Sequence, residues 1–177
     1  MRLMIIVLLC VLSCVPATLA QTQPEKLPAS ARVMLNRRFP GWKFAEVSSD
    51  VQQFFKQEMK GASPVVISGD FDGNRRRDYA VLIWHGYYPK YPGQATAAPR
   101  DYLVVFLRRG THYKMHVIKE PNGEYIGLAK KGTTDYNYNT DKEITYVNDA
   151  IFTGILEKGG SSYVYWKGRF YSFISSD

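Results

Sequence analysis

The chain has 177 residues, a formal net charge of +7 and 45% hydrophobic residues, enough for one domain with a sizeable core. Its two cysteines, Cys10 and Cys14, both fall in the first twenty residues, which excludes a disulfide framework in the rest of the chain. The charge is read as a solvated surface or as attraction to anionic envelope polymers or lipid head groups. Nucleic acid is not expected as a partner, because no helix-turn-helix, zinc or ribonucleoprotein signature accompanies it.

The opening stretch MRLMIIVLLCVLSCVPATLA places Arg2 ahead of an apolar run from Leu3 to Leu12. That run is shorter than the about 20 residues a membrane span needs. Thr18, Leu19 and Ala20 supply small residues ahead of Gln21, so residues 1–20 are expected to be a secretory signal cleaved after Ala20. Val11-Leu12-Ser13-Cys14 also resembles a loose bacterial lipobox, which implies a lipid anchor at Cys14 as the alternative. Residues 21–29 then form a flexible segment before a single domain over 30–177, and no second apolar run suggests a further span. The expected location is periplasmic or extracellular.

Ser30 is placed to cap a helix on which Ala31, Leu35 and Phe39 recur every four residues, and Pro40-Gly41 ends it. Ser49 or Asp50 caps a second, with Val51, Phe54, Phe55 and Met59 on one face and Gly61 as its stop. From Pro64 the period becomes that of strands, over 64–68, 79–84, 101–109, 111–119, 125–129, 143–147, 151–157, 162–166 and 169–174. This order predicts an α+β fold, with two N-terminal helices packed on a mainly antiparallel, meandering β-sheet of seven to nine strands. Two long loops remain, 85–100 and 131–142, and long loops often carry the working surface.

The sharpest motif is GDFDGNRRRD at 69–78. Calcium takes six to eight oxygen ligands, which a wrapping loop supplies from every second residue and a backbone carbonyl. Here Asp70, Asp72, Asn74 and Asp78 hold positions 1, 3, 5 and 9, and the carbonyl of Arg76 falls at position 7. The stretch from Ser68 to Ile83 resembles the strand-loop-strand calcium motif of FG-GAP and VCBS repeats, the integrin type. The resemblance implies a structural calcium ion held by those five residues. Two departures stand out: Asn74 replaces an aspartate, and Arg75 replaces a glycine whose backbone is left-handed. The motif also occurs only once, whereas propellers of that family carry several copies.

Tyr87, Tyr88 and Tyr91, beside Lys90 and two prolines, offer rings suited to stacking on sugars or on a protein surface, or to folding back as a lid on the sheet. His112 and His116 lie about 13 Å apart on one strand face, too far to share a metal, and are read as surface residues. No nucleophile elbow, P-loop, dinucleotide fingerprint or zinc-protease helix is present. The leading expectation is an exported binding or accessory domain with one calcium loop, acting on an envelope polymer or protein. The rivals are a hydrolase using Asp135, Asp141 or Glu143 in a carboxylate pair, and a metal-free inhibitor using the 85–100 loop.

Overall fold

A computed structural model describes residues 26–87 and 99–175. The signal, the Cys14 anchor, and Tyr88, Lys90 and Tyr91 lie outside those residues. The described elements are α1 (Ala29–Arg38), β1 (Lys43–Phe44), α2 (Ser49–Gln57), β2 (Val66–Gly69), β3 (Asp78–Tyr87), β4 (Pro99–Arg109) and β5 (His112–Lys119). They continue with β6 (Tyr125–Ala129), β7 (Thr134–Asn137), β8 (Lys142–Thr145), β9 (Ala150–Ile155), β10 (Gly159–Trp166) and β11 (Arg169–Ser175). No helix among the described residues is long and apolar enough to cross a membrane.

The first sheet runs β1-β3-β4-β5, with β2 also on β3. Since β4 pairs with Tyr79 to Trp84 of β3, β1 and β2 share the opposite edge end to end. The second sheet is β11-β10-β9-β6, and β7 pairs only with β8. All pairings are antiparallel.

Strand periodicity explains how the layers stack, because successive side chains leave opposite faces of a sheet. Ala80, Leu82, Leu103, Val105 and Leu107 share a core with Ile126, Ile151 and Tyr163 of the second sheet. The alternate residues Val81, Ile83, Val104 and Phe106 meet Ala31, Leu35 and Phe39 of the α1 segment. The central strands are therefore covered on both faces and read as unbroken apolar runs despite being antiparallel. Leu35 is fully buried, worth about 1.5–3 kcal/mol against exposure.

The α+β expectation is overturned, since the described residues are 49% strand and 14% helix, with their strands divided among three sheets. The physical reason lies in the runs 80–83 and 103–107, which are apolar on both faces and need cover on both. One short helix covers one face, and a second sheet covers the other. The two helices also do not share a sheet face. α2 places Val51 and Phe55 against Tyr125 and Phe152 of the second sheet, away from α1.

Local starts differ too. Ser30 does not cap α1, whose N-cap is Pro28 without a side-chain bond. Ser48, one residue before the expected cap, accepts from the Val51 N–H at 3.4 Å and begins α2. The expected loop over 131–142 contains β7, a polar strand that its hairpin partner β8 holds in place.

Candidate functional site

β2 and β3 pair as far as Gly69 and Asp78, so residues 70–77 form the turn of an antiparallel hairpin. The turn needs two left-handed backbones. Gly73 has φ of +75°, and a Cβ there would run into the Asn148 side chain. Arg75 has φ of +63°, so the position where the resembling motif has glycine keeps that backbone with an arginine in place.

The loop gathers Asp70, Asp72 and Asp78 so that one ligand oxygen from each lies within 4.8 Å of the others, a group able to hold a metal ion. Asp78 is fully buried, its Oδ2 accepting from the Phe71 N–H at 2.9 Å and its Oδ1 from the Arg108 N–H at 2.6 Å. Burial pushes its carboxyl up to about 7, with the Asp72 and Asp70 charges adding to the rise and those two N–H groups opposing it. Asp70 Oδ2 accepts from the Arg75 N–H at 2.9 Å. Its other oxygen, Oδ1, is buried with no hydrogen-bond partner.

Asn74 is joined to this trio through Asp72, and Arg76 is joined to Asn74. The Asn74 amide nitrogen donates to Asp72 Oδ2 at 3.1 Å and to the Arg108 carbonyl at 2.9 Å, and its oxygen accepts from the Arg76 N–H at 2.8 Å. Arg75, Arg76 and Arg77 are exposed. The cation at the cluster is instead Arg109, whose Nη2 lies 2.7 Å from Asp72 Oδ2. Sequence counted Arg109 only toward net charge, because the β3–β4 register alone brings it beside the loop.

Asp149 is a second residue that spacing did not single out. Its Oδ2 accepts from the Asp70 N–H at 3.0 Å, and its own N–H donates to the Asp70 carbonyl at 3.2 Å. Burial opposes its ionisation, but the N–H groups of Lys131 and Asp70 and the Lys130 charge together hold its carboxyl below the usual range. The acidic loop is thereby tied to the segment that enters β9 of the second sheet.

Of the three rival catalytic carboxylates, Asp135 and Glu143 line one cavity of about 680 Å³, beneath α2 and between β6 and the β7–β8 hairpin. Asp141 is exposed and accepts from the Tyr136 hydroxyl. Asp135 Oδ1 accepts from the Tyr136 N–H at 2.7 Å, and its Oδ2 accepts from the Tyr146 hydroxyl. Ser162 Oγ lies 3.2 Å from that Oδ2 and 3.0 Å from Ser175 Oγ. Burial, then the bond to Asp135, raises the Tyr146 phenol above its ordinary value.

His112 is exposed, but His116 is not the surface residue expected. Its ring packs edge-on against Tyr165 and Phe170, each 5.6 Å away between centroids. Of the expected 85–100 loop, the described residues 85–87 and 99–100 continue β3 and β4, with Tyr87 paired with Pro99. No family model, curated protein or solved structure matches the chain.

Proposed function

We propose that this protein is an exported envelope or extracellular binding domain whose 70–78 loop is held by one structural calcium ion. The observation that carries the reading is the trio of carboxylates, ligand oxygens within 4.8 Å of one another, in which Asp70 Oδ1 is buried without a partner. A buried carboxylate oxygen lacking a donor is costly, and a hard divalent cation relieves it. Calcium fits better than zinc, because every ligand on offer is an oxygen and no cysteine or histidine among the described residues joins them.

The ion would fix structure and take no part in chemistry. Its ligands are needed for coordination, and the loop is already joined to β4 through Arg108 and to the second sheet through Asp149. The export signal supports an environment where calcium sites of roughly 10⁻⁴ to 10⁻³ M are filled. The partner is an envelope polymer or protein.

Calorimetric titration of the chelator-stripped protein tests this. Saturable calcium binding, with a dissociation constant of roughly 10⁻³ M or below, is expected in the parent and absent in an Asp72→Ala, Asp78→Ala double variant. No heat with calcium up to about ten times that value overturns it.

One observation favours a second reading, a hydrolase of envelope polymers: Asp135 and Glu143 line the same cavity. Against it stand the walls, since Phe54, Phe55, Met59, Phe152 and Leu156 suit an apolar body better than a hydroxyl-rich polymer. Release of reducing ends from envelope polysaccharide by the parent, lost in Asp135→Asn, would favour the hydrolase.

A further inference from the structure

The cavity beneath α2 has a composition that the metal loop does not account for. On a chain of net charge +7, the charged side chains lining it are Asp135 and Glu143, and no lysine, arginine or histidine joins them among the described residues. Asp135 is met by neutral donors, the Tyr136 N–H and the Tyr146 and Ser162 hydroxyls. Neither it nor Glu143 has an ion-pair partner among the described residues. A carboxylate offers about four acceptor positions, so hydrogen bonds of this kind orient the group and leave both capacity and charge for another cation.

The opposite wall is apolar and aromatic. Phe54 and Met59 of the α2 segment stay partly exposed there, facing Tyr125 and Phe152. A smaller cavity of about 230 Å³ shares Phe55, Met59, Gly127 and Leu128 and prolongs the trough toward Lys60. The volume and the convergence of a few polar groups on apolar walls are those of a small-molecule site.

We propose that this trough binds a cationic amphiphile, a molecule with an apolar, ring-sized body and one ammonium head. The body lies against Phe54, Phe55 and Phe152, and the head meets Asp135 and Glu143. Lys60 at the far end repels the ammonium and fixes the orientation. Partly desolvated rings beside the head add cation–π attraction. The site is independent of the calcium loop.

Three probes with the same body separate the contributions: 4-phenylbutylamine, 4-phenylbutanol and 4-phenylbutanoate, each titrated calorimetrically into the full protein. The amine is expected to bind about tenfold or more tightly than the alcohol, with the carboxylate weakest. Gly127→Leu tests the body site, because a Cβ at Gly127 meets only Phe152 Cδ1, at an ordinary 3.8 Å, and a longer side chain would fill the trough. It should abolish binding of the amine and the alcohol alike while circular dichroism stays parental. Asp135→Asn with Glu143→Gln should lower the amine to the affinity of the alcohol and leave the alcohol unchanged. If that pair fails to fold, Glu143→Gln alone, at an exposed strand position, should weaken only the amine. An amine that binds no better than the alcohol, a carboxylate that binds as well as the amine, or a folded Gly127→Leu that binds the amine unchanged would overturn the proposal.

Discussion

Arg109 Nη2 stands 2.7 Å from Asp72 Oδ2, with the aspartate side chain 1% exposed and the arginine 38%. The acidic cluster thus carries its own cation, reaching in from the end of β4. Removing it leaves the buried Asp72 charge without a cation in the metal-free protein, held only by the two Asn74 donors. Arg109→Gln should cost about 1–3 kcal/mol in chelator, discounted because the arginine is partly in solvent. The same change makes the loop more negative, so calcium should bind about tenfold tighter. Denaturant titrations with chelator and with calcium check both signs, and a weaker calcium site would show that Arg109 builds the loop rather than competing with the ion.

Asp78, itself fully buried, accepts from two backbone N–H groups. In Asp78→Ala both the Phe71 and Arg108 donors lose their acceptor, and the expected destabilisation is about 2–5 kcal/mol. Asp78→Asn keeps one acceptor and should cost about half as much. Neither variant should gain stability from calcium, whereas the parent should gain about 2.7 kcal/mol at a hundred times its dissociation constant.

The two glycines at 41 and 73 separate backbone strain from collision. Both have φ near +75°, but a Cβ at Gly41 meets nothing within 4 Å and one at Gly73 meets Asn148. Gly41→Ala should cost about 1–2 kcal/mol, and Gly73→Ala clearly more by thermal unfolding in chelator. Equal costs would mean that the Asn148 side chain simply swings away.

His116 gives the fold a pH dependence of known sign. Burial, then the Lys114 and Arg109 charges, hold its imidazole below the ordinary 6.5, with Asp72 opposing them. The groups packed on its ring, Tyr165 and Phe170, are neutral. Because the folded value lies below the unfolded one, the stability it contributes is complete above about 6.5 and is lost as pH falls below that. Denaturation midpoints measured at about pH 7.5 and about pH 5.5 should fall further in the parent than in His116→Phe.

The loop was legible because its chemistry is local: Asp70, Asp72 and Asp78 lie within nine residues, and a tight hairpin turn returns them to one point. Arg109 and Asp149 were not legible, because a sheet register and a contact between sheets bring them there from 31 and 71 positions beyond Asp78. Asp135 was readable as a candidate carboxylate, but its partners Tyr146 and Ser162 are set by the pairing of other strands. The apolar runs of β3 and β4 marked buried strands, yet periodicity says only that a face is covered and not whether a helix or a second sheet covers it. β7 carries TDYN, whose propensity is weak, and is a strand because β8 lies beside it.

The two larger sheets are consecutive in the chain: every strand of the first lies before residue 120, and every strand of the second after 124. A polypeptide emerging N-terminus first therefore finishes one sheet before it can begin the other. During that interval Leu103, Val105 and Leu107 lack Ile126, Ile151 and Tyr163, and that face of β3 and β4 is without its cover from the second sheet. That waiting time, set by synthesis rather than by the finished structure, is when the chain is most open to self-association and most in need of a chaperone.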